Sequence, residues 1–175
     1  LYRRWAVEFQ KVDPQSRVDY TGSGSGKGIS DITSRTVDFA GSDAPLTRAE
    51  IAKLPAPVLQ IPSCAGAVVM VYNLPGLSGS LNLSGEVIAD IYLGKIARWN
   101  DPAIVSLNPG VTMPDRAITP VFRSDSSGTT HVFTSYLTTQ SREFTGRIGA
   151  GKKVEFPSGL GGARNAGVAA NVQQT

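Results

Sequence analysis

The segment from Arg123 to Thr129 places a guanidinium, a carboxylate and several hydroxyl groups within one short turn. The apolar run 118–122 before it predicts a buried strand. The residues after it predict a helix, because the apolar side chains at 132, 133, 136 and 137 share one helical face. A helix N-terminus carries free N–H groups and a partial positive charge, which favour an anion. The segment therefore predicts a site for a small tetrahedral oxyanion.

Arg123 and Asp125 are two residues apart, so that their side chains can point the same way. Asp125 would then hold the guanidinium in place, and the remaining N–H groups of Arg123 would bind two oxygens of a ligand. The alternative is an ion pair on the surface, which contributes under about 1 kcal/mol. The spacing leaves both possibilities open.

A glycine–serine loop, Gly22–Gly28, follows a predicted strand and precedes a helical pattern. It does not match the Walker pattern, which requires glycine where the chain has Thr21. It does not match the dinucleotide pattern either, which requires glycine where the chain has Lys27. As an anion site it would use backbone N–H groups and the hydroxyl of Ser25. The alternative is an ordinary loop.

Asp43 is a third candidate, because with Ser42 it follows the short predicted strand 37–40. Open α/β sheets bind ligands at strand ends. The alternative is that Asp43 caps the turn that begins before Ala44 and Pro45. Convergence of all three turns on one cleft is a sharper hypothesis than any one of them.

Composition limits the possible functions. The 175 residues suit one domain or two small lobes, and 41% apolar residues suffice for a folded core. The net charge is +3, and the basic residues are scattered, which gives little support for nucleic-acid binding. One cysteine, Cys64, excludes an internal disulfide, and one histidine, His131, leaves no basis for a multi-histidine metal site. We expect Cys64 to be buried beside a strand.

Periodicity predicts alternating helices and strands, which is typical of an α/β layered sheet. Segment 74–80 contains a proline, glycines and serines and is the best candidate for a crossing between two lobes. Residues 159–167 read as a flexible loop. The predicted helices cover residues 1–13, short stretches from Ile29 and from Thr47, Ser84 to Ile91, a start at Asp101-Pro102, 141–148 and 168–174; the predicted strands are 17–21, 37–40, 58–61 and 65–73.

Several stretches in chain order resemble the phosphate-binding proteins of bacterial ABC phosphate importers. The similarity extends over nearly the whole chain, and the combination of motifs is specific. The stretches are 20–26 (Tyr-Thr-Gly-Ser-Gly-Ser-Gly), 36–46 (Thr-Val-Asp-Phe-Ala-Gly-Ser-Asp-Ala-Pro-Leu), 91–96, 99–101, 123–129, 133–137 and 157–162.

The resemblance implies a two-lobed periplasmic-binding-protein fold of type II, here in partial form. Residues 1–73 would form part of the first lobe, 74–80 the crossing, and 81–175 the second lobe. Relatives carry a further segment before the position of Leu1 and continue beyond that of Thr175. We therefore interpret the chain as an N-terminally trimmed and C-terminally incomplete member.

The resemblance also implies the ligand set. Asp43 would accept the proton that phosphate carries, and Asp125 would support the arginine. The other phosphate ligands would be Ser25, Arg123, Ser127, Gly128 and Thr129. We expect no catalytic residue, no cofactor and no metal.

The implied function is high-affinity binding of inorganic phosphate and its delivery to the membrane permease of an ABC importer. We expect an exported monomer, periplasmic or on the extracellular face of the cell membrane, without a nucleic-acid partner. The alternatives are a phosphatase or other phosphoryl-transfer enzyme, and a binding protein for sulfate or molybdate. One cysteine and one histidine disfavour the enzyme, and Asp43 among donors disfavours the other oxyanions.

Overall fold

The computed structural model describes residues 1–77 and 79–175. Ser78, in the predicted crossing 74–80, lies outside the described residues. The regular elements of the described part are eight helices and two short strands, joined by long irregular segments. In chain order the elements are α1 (Tyr2–Val12), α2 (Ser25–Thr33), α3 (Arg48–Ile51), α4 (Gly85–Tyr92), α5 (Pro102–Leu107), β1 (Val121–Arg123), α6 (Gly128–Gln140), α7 (Arg142–Arg147), β2 (Leu160–Gly162) and α8 (Arg164–Gln174).

The hydrophobic core of the described chain is formed by α4, α5, α6 and α7. Ile104 on α5, Leu137 on α6 and Phe144 on α7 are fully buried. Helix α4 packs against α6 and buries apolar side chains around most of its circumference, including Ile88 and Ile91. The core therefore lies directly behind α6 and fixes its direction.

Side-chain caps set where several helices begin. Thr47 and Glu50 form the predicted capping box at the start of α3. Ser84 accepts a hydrogen bond from the N–H of Val87 at the start of α4, and Asp101 caps α5 with Pro102 in its first turn. These three predicted helix starts are confirmed.

Strands β1 and β2 are parallel, and Val121 lies opposite Leu160. Helix α8 packs on this pair. A Cβ atom at Gly162 would lie 2.5 Å from the backbone nitrogen of Val168, so that glycine permits the close approach. The prediction of a flexible loop over 159–167 is wrong, because this segment contains β2 and the first turn of α8.

The strands predicted over 17–21, 37–40, 58–61 and 65–73 are absent from the described chain. A strand requires a hydrogen-bonded neighbour, and the described residues provide none for these segments. The apolar side chains of 58–71 are largely exposed, with Leu59 84% accessible. The expected burial of Cys64 is wrong for the same reason, since its uncovered segment leaves the thiol exposed.

The buried faces of two predicted helices also differ from expectation. In α6, Thr130, Thr134 and Leu137 are buried, whereas Val132 and Tyr136 are exposed. A buried threonine is tolerated here because the hydroxyl of Thr134 donates to the carbonyl of Thr130 at 2.8 Å. Helix α1 forms as predicted but buries none of its residues. Among the helices of the described residues, none has the length and apolar character of a membrane span.

The same leucine-to-alanine change at a buried and at an exposed position tests this division between segments. Leu137→Ala should lower the free energy of unfolding by about 3 kcal/mol, because it leaves a cavity in the core. Leu59→Ala should change it by less than about 0.5 kcal/mol, because the side chain is exposed. Urea denaturation measures both, and comparable losses would show that the segment around Leu59 is buried.

Candidate oxyanion-binding site

The start of α6 offers unpaired backbone donors. Ser127 is its N-cap, and the Ser127 hydroxyl oxygen accepts a hydrogen bond from the N–H of Thr130 at 3.2 Å. The N–H of Ser127 donates to the carbonyl of Lys152 at 2.8 Å. Within the described residues, the N–H groups of Gly128 and Thr129 have no protein acceptor. These are the donors that a helix start presents to an anion.

Ser25 and Asp43 lie against this helix start. A Cβ atom at Gly128 would lie 2.6 Å from both the hydroxyl of Ser25 and the Cβ of Asp43, so that glycine permits the contact. The N–H of Asp43 donates to the hydroxyl of Ser25 at 3.2 Å. The hydroxyl of Thr129 donates to the carboxylate of Asp43 at 3.4 Å. Candidates from three separate turns therefore meet at one place.

The turn at Asp43 is held by its neighbour. The hydroxyl of Ser42 donates to the carbonyl of Ala44 at 2.6 Å and accepts from the N–H of Ala44 at 3.2 Å. Ser42 therefore makes the hydrogen bonds that the alternative interpretation assigned to Asp43. The carboxylate of Asp43 is left to face Thr129.

The glycine–serine loop packs on the turn between β1 and α6. Helix α2 begins at Ser25, earlier than predicted, and buries that residue. The N–H of Gly26 donates to the carbonyl of Ser126 at 3.2 Å. Gly24 has φ +89° and lies so close to Arg123 that a Cβ atom there would be 3.0 Å from Nη2. Lys27 is exposed and pairs with the half-buried Asp31, four residues further along α2.

Arg123 is clamped rather than exposed at the surface. Its Nε and Nη2 donate to the two carboxylate oxygens of Asp125 at 2.7 and 2.5 Å, and Nη1 donates to the Oδ1 of Asn165 at 2.6 Å. Only 9% of its side chain is accessible. Three of the five N–H donors of a guanidinium are thus used, and two remain for a ligand.

The carboxylate of Asp125 is fixed from two directions. The hydrogen bond from Arg123 lowers the pKa of Asp125 to about 2; burial opposes this effect, and a backbone hydrogen bond from Arg164 adds to it. Arg164 has φ +58°, which is uncommon for a residue with a side chain, and its N–H donates to Asp125 at 3.0 Å. A fully ionised Asp125 keeps the guanidinium in one orientation.

Asn165 and the ion pair between Glu50 and Lys152 were missed by sequence reasoning. Asn165 lies in the segment that was predicted to be a flexible loop, and its partner Arg123 is 42 residues away in the chain. Lys152 binds both carboxylate oxygens of Glu50 at 2.7 Å across 102 residues. No local pattern marks either contact.

A separate cavity of about 370 Å³ lies beside this site. Arg123 and Thr129 contribute to its wall, but the rest is mainly apolar, from segments 67–73 and 117–122. Ser25, Asp43 and Gly128 are not among its lining residues. An apolar wall does not suit a small charged ligand, so we assign the oxyanion site from the donors and not from this cavity.

Comparison with known proteins agrees with the sequence-based resemblance. The chain is 46% identical to the phosphate-binding protein PstS of Pasteurella multocida, 45% to that of Xylella fastidiosa and 42% to that of Haemophilus influenzae, in each case over 175 residues and 99% of this chain. It covers 50%, 47% and 52% of those proteins respectively. The chain thus spans about half the length of the curated relatives it matches.

The model of the PBP superfamily domain matches residues 1–174. The predicted fold class, a periplasmic-binding-protein fold of α/β type in partial form, is confirmed by this match together with the mixed helices and strands. The predicted resemblance to phosphate-binding proteins is confirmed as well. The chain belongs to the PBP superfamily.

Proposed function

We propose that this protein binds inorganic phosphate, with Ser25, Asp43, Arg123, Ser127, Gly128 and Thr129 as ligands and Asp125 in support. The observation that carries the proposal is the meeting of the free N–H groups of Gly128 and Thr129 with a single carboxylate, Asp43. Relatives that are 42–46% identical are phosphate-binding proteins, which supports the same ligand.

The donors act together on the oxygens of the ligand. The helix start contributes two N–H groups and the partial positive charge of its dipole. Arg123 contributes its two remaining N–H groups, and the hydroxyl of Ser25, which accepts from the N–H of Asp43, can still donate its own proton. The hydroxyls of Thr129, which donates to Asp43 here, and of Ser127, which is fully buried and caps α6 here, would have to turn to the ligand. Hydrogen bonds to a charged group contribute about 1.5–3 kcal/mol each, which supports micromolar or tighter binding after ordering costs.

Asp43 supplies selectivity. Phosphate near pH 7 always retains a proton, and that proton can donate to the carboxylate. Sulfate has none at this pH, so its oxygen would face the carboxylate of Asp43 without a hydrogen between them. Asp43 is exposed in this structure, so the argument depends on closure of the two lobes to exclude water from its carboxylate. In the closed site, leaving a polar group unpaired costs about 1–3 kcal/mol, and more for a charged group, so we expect discrimination of about two decades.

The function is therefore capture and delivery rather than catalysis. Residues 1–73 and 81–175 would form parts of two lobes that close on the ligand, with 74–80 as the crossing. The loaded protein would present phosphate to the membrane permease of an ABC importer. It would act as an exported monomer in the periplasm or on the outer face of the cell membrane, without a nucleic-acid partner.

Replacing the acceptor tests selectivity. Asp43→Asn should weaken phosphate binding and narrow the gap between phosphate and sulfate by about tenfold or more, because the amide can donate to sulfate and carries no charge. Calorimetric titration with each anion measures the gap. The exposed Asp38→Asn serves as the matched control. An unchanged gap in Asp43→Asn would remove Asp43 from the role of acceptor.

Replacing Arg123 tests whether its two remaining N–H groups bind phosphate. Arg123→Ala should weaken phosphate binding by several kcal/mol, at least about a hundredfold, because the site loses buried charge-assisted hydrogen bonds. Arg98→Ala removes an exposed guanidinium and should have no comparable effect. Circular dichroism confirms that each variant is folded. A loss below about threefold would show that Arg123 does not bind the ligand.

The lowered pKa of Asp125 predicts a specific pH dependence. Ionised Asp125 stabilises the fold fully above its ordinary pKa of 3.8, and this contribution is lost as the pH falls toward about 2. Wild type should exceed Asp125→Asn in unfolding free energy by at most about 2 kcal/mol at pH 6, and the difference should shrink below about pH 4. Urea denaturation at several pH values measures it; a difference that stays constant down to pH 2.5 would contradict the ion pair.

A further inference from the structure

An ion pair between Glu50 and Lys152 connects α3, which follows Asp43, to the segment that contacts the start of α6. The Nζ of Lys152 lies 2.7 Å from both carboxylate oxygens of Glu50. Lys152 is 11% accessible and Glu50 is 26% accessible along their side chains, so water screens this pair less than an exposed one. Neither Glu50 nor Lys152 belongs to the proposed ligand set.

Glu50 is fixed on the Asp43 side. It lies in α3, which begins shortly after Asp43 along the chain. The carboxylate of Glu50 accepts hydrogen bonds from the N–H and hydroxyl of Thr47 at 2.7 and 2.9 Å, which completes the capping box. Burial raises the pKa of Glu50, but the hydrogen bonds from Lys152 and Thr47 outweigh it and hold the pKa below its usual range. Glu50 is therefore an ionised, preoriented partner for Lys152.

Lys152 is fixed on the α6 side. Its carbonyl accepts the N–H of Ser127, the N-cap of α6, at 2.8 Å. The N–H of the preceding residue, Gly151, donates to the hydroxyl of Thr134 on α6 at 3.1 Å. Lys152 thus contacts the helix start through its backbone and α3 through its side chain.

Two hydrogen bonds that join the Asp43 and glycine–serine turns to the segment around the start of α6 are longer than this ion pair. Thr129 and Asp43 are joined at 3.4 Å, and the N–H of Gly26 reaches the carbonyl of Ser126 at 3.2 Å. A charged pair at 2.7 Å is a stronger connection than either. Removing one partner would leave the other charge shielded and unpaired. Loss of this pair is therefore expected to loosen the spacing between Asp43 and the donors of Gly128 and Thr129, which is otherwise held by direct packing and by these longer hydrogen bonds.

We propose that the ion pair between Glu50 and Lys152 is a latch that holds the Asp43 segment against the start of α6 and thereby slows release of the bound oxyanion. This inference rests on the proposed phosphate binding and adds two positioning residues to it. Neither residue contacts the ligand; both act by keeping acceptor and donors at a fixed separation.

The test compares Lys152→Met with Lys153→Met, which removes the same charge from the exposed neighbouring residue. Dissociation of radiolabelled phosphate is followed after addition of excess unlabelled phosphate. Lys152→Met should release phosphate about tenfold faster, because without the ion pair the Asp43 segment separates more readily from the start of α6. The association rate should change less, since substitutions of this kind act mainly on the dissociation rate. Lys153→Met should stay within about twofold of wild type.

Repeating the comparison in a Glu50→Gln background separates a latch from a general loss of stability. Glutamine retains a carbonyl oxygen for Thr47 but not the charge. In that background Lys152→Met should accelerate release by less than about twofold, because its partner is already gone. An equal acceleration in both backgrounds, or in Lys152→Met and Lys153→Met, would overturn the latch.

Amide hydrogen exchange tests the role of the ion pair without any ligand. Lys152→Met should speed amide exchange in residues 44–51 in phosphate-free protein, whereas Lys153→Met should not. If wild type takes up no phosphate, the proposed function fails, and unchanged exchange in 44–51 would reject the latch separately. Faster exchange with unchanged phosphate release would reject its effect on release.

Discussion

The candidate site depends on one arrangement: the free N–H groups at the start of α6 lie next to the carboxylate of Asp43. Gly128 allows it, since a Cβ atom there would overlap both Ser25 and Asp43. The core residues Leu137 and Phe144 hold α6 and the following helix in place behind the site. The turn after β1 sets the direction of the helix start, and the fold brings the donors of Gly128 and Thr129 close to one acceptor, Asp43.

Charge alone does not explain why this site would hold an anion. Arg123 is paired with Asp125, and Asp43 adds a further negative charge, so these ionised side chains carry more negative than positive charge. Binding must therefore come from directed hydrogen bonds and the helix dipole. A site of this kind recognises a ligand by its protons and lone pairs, which explains how an acceptor can be useful in an anion site.

The parts of the structure that local sequence signals determine were predictable. The capping box at Thr47, the cap at Ser84 and the strand–turn–helix around Arg123 each depend on neighbouring residues, and each is present. The strands predicted over 58–61 and 65–73 depend on distant partners, and the described residues contain none. Apolar alternation indicates that a segment can pair, but it cannot indicate whether a neighbour exists.

The residues of the candidate site were also predictable only in part. Local patterns indicated Ser25 and Asp43 as candidates with an alternative left open for each, and the resemblance to phosphate-binding proteins added Gly128 and Thr129. The structure brings these four residues together. Asn165, Glu50 and Lys152 could not, because their contacts join residues 42 and 102 positions apart. Such contacts are set by the packing of α3, α6 and the β2–α8 turn, which no local pattern records.

Titration calorimetry of the wild-type chain with phosphate and with sulfate at pH 7 tests the central claim most directly. The arrangement of donors around one carboxylate predicts phosphate binding in the micromolar range or tighter, and sulfate binding weaker by about a hundredfold. Equal affinity for the two anions would contradict the account, because the carboxylate of Asp43 would then not be accepting a hydrogen bond from the proton that only phosphate carries.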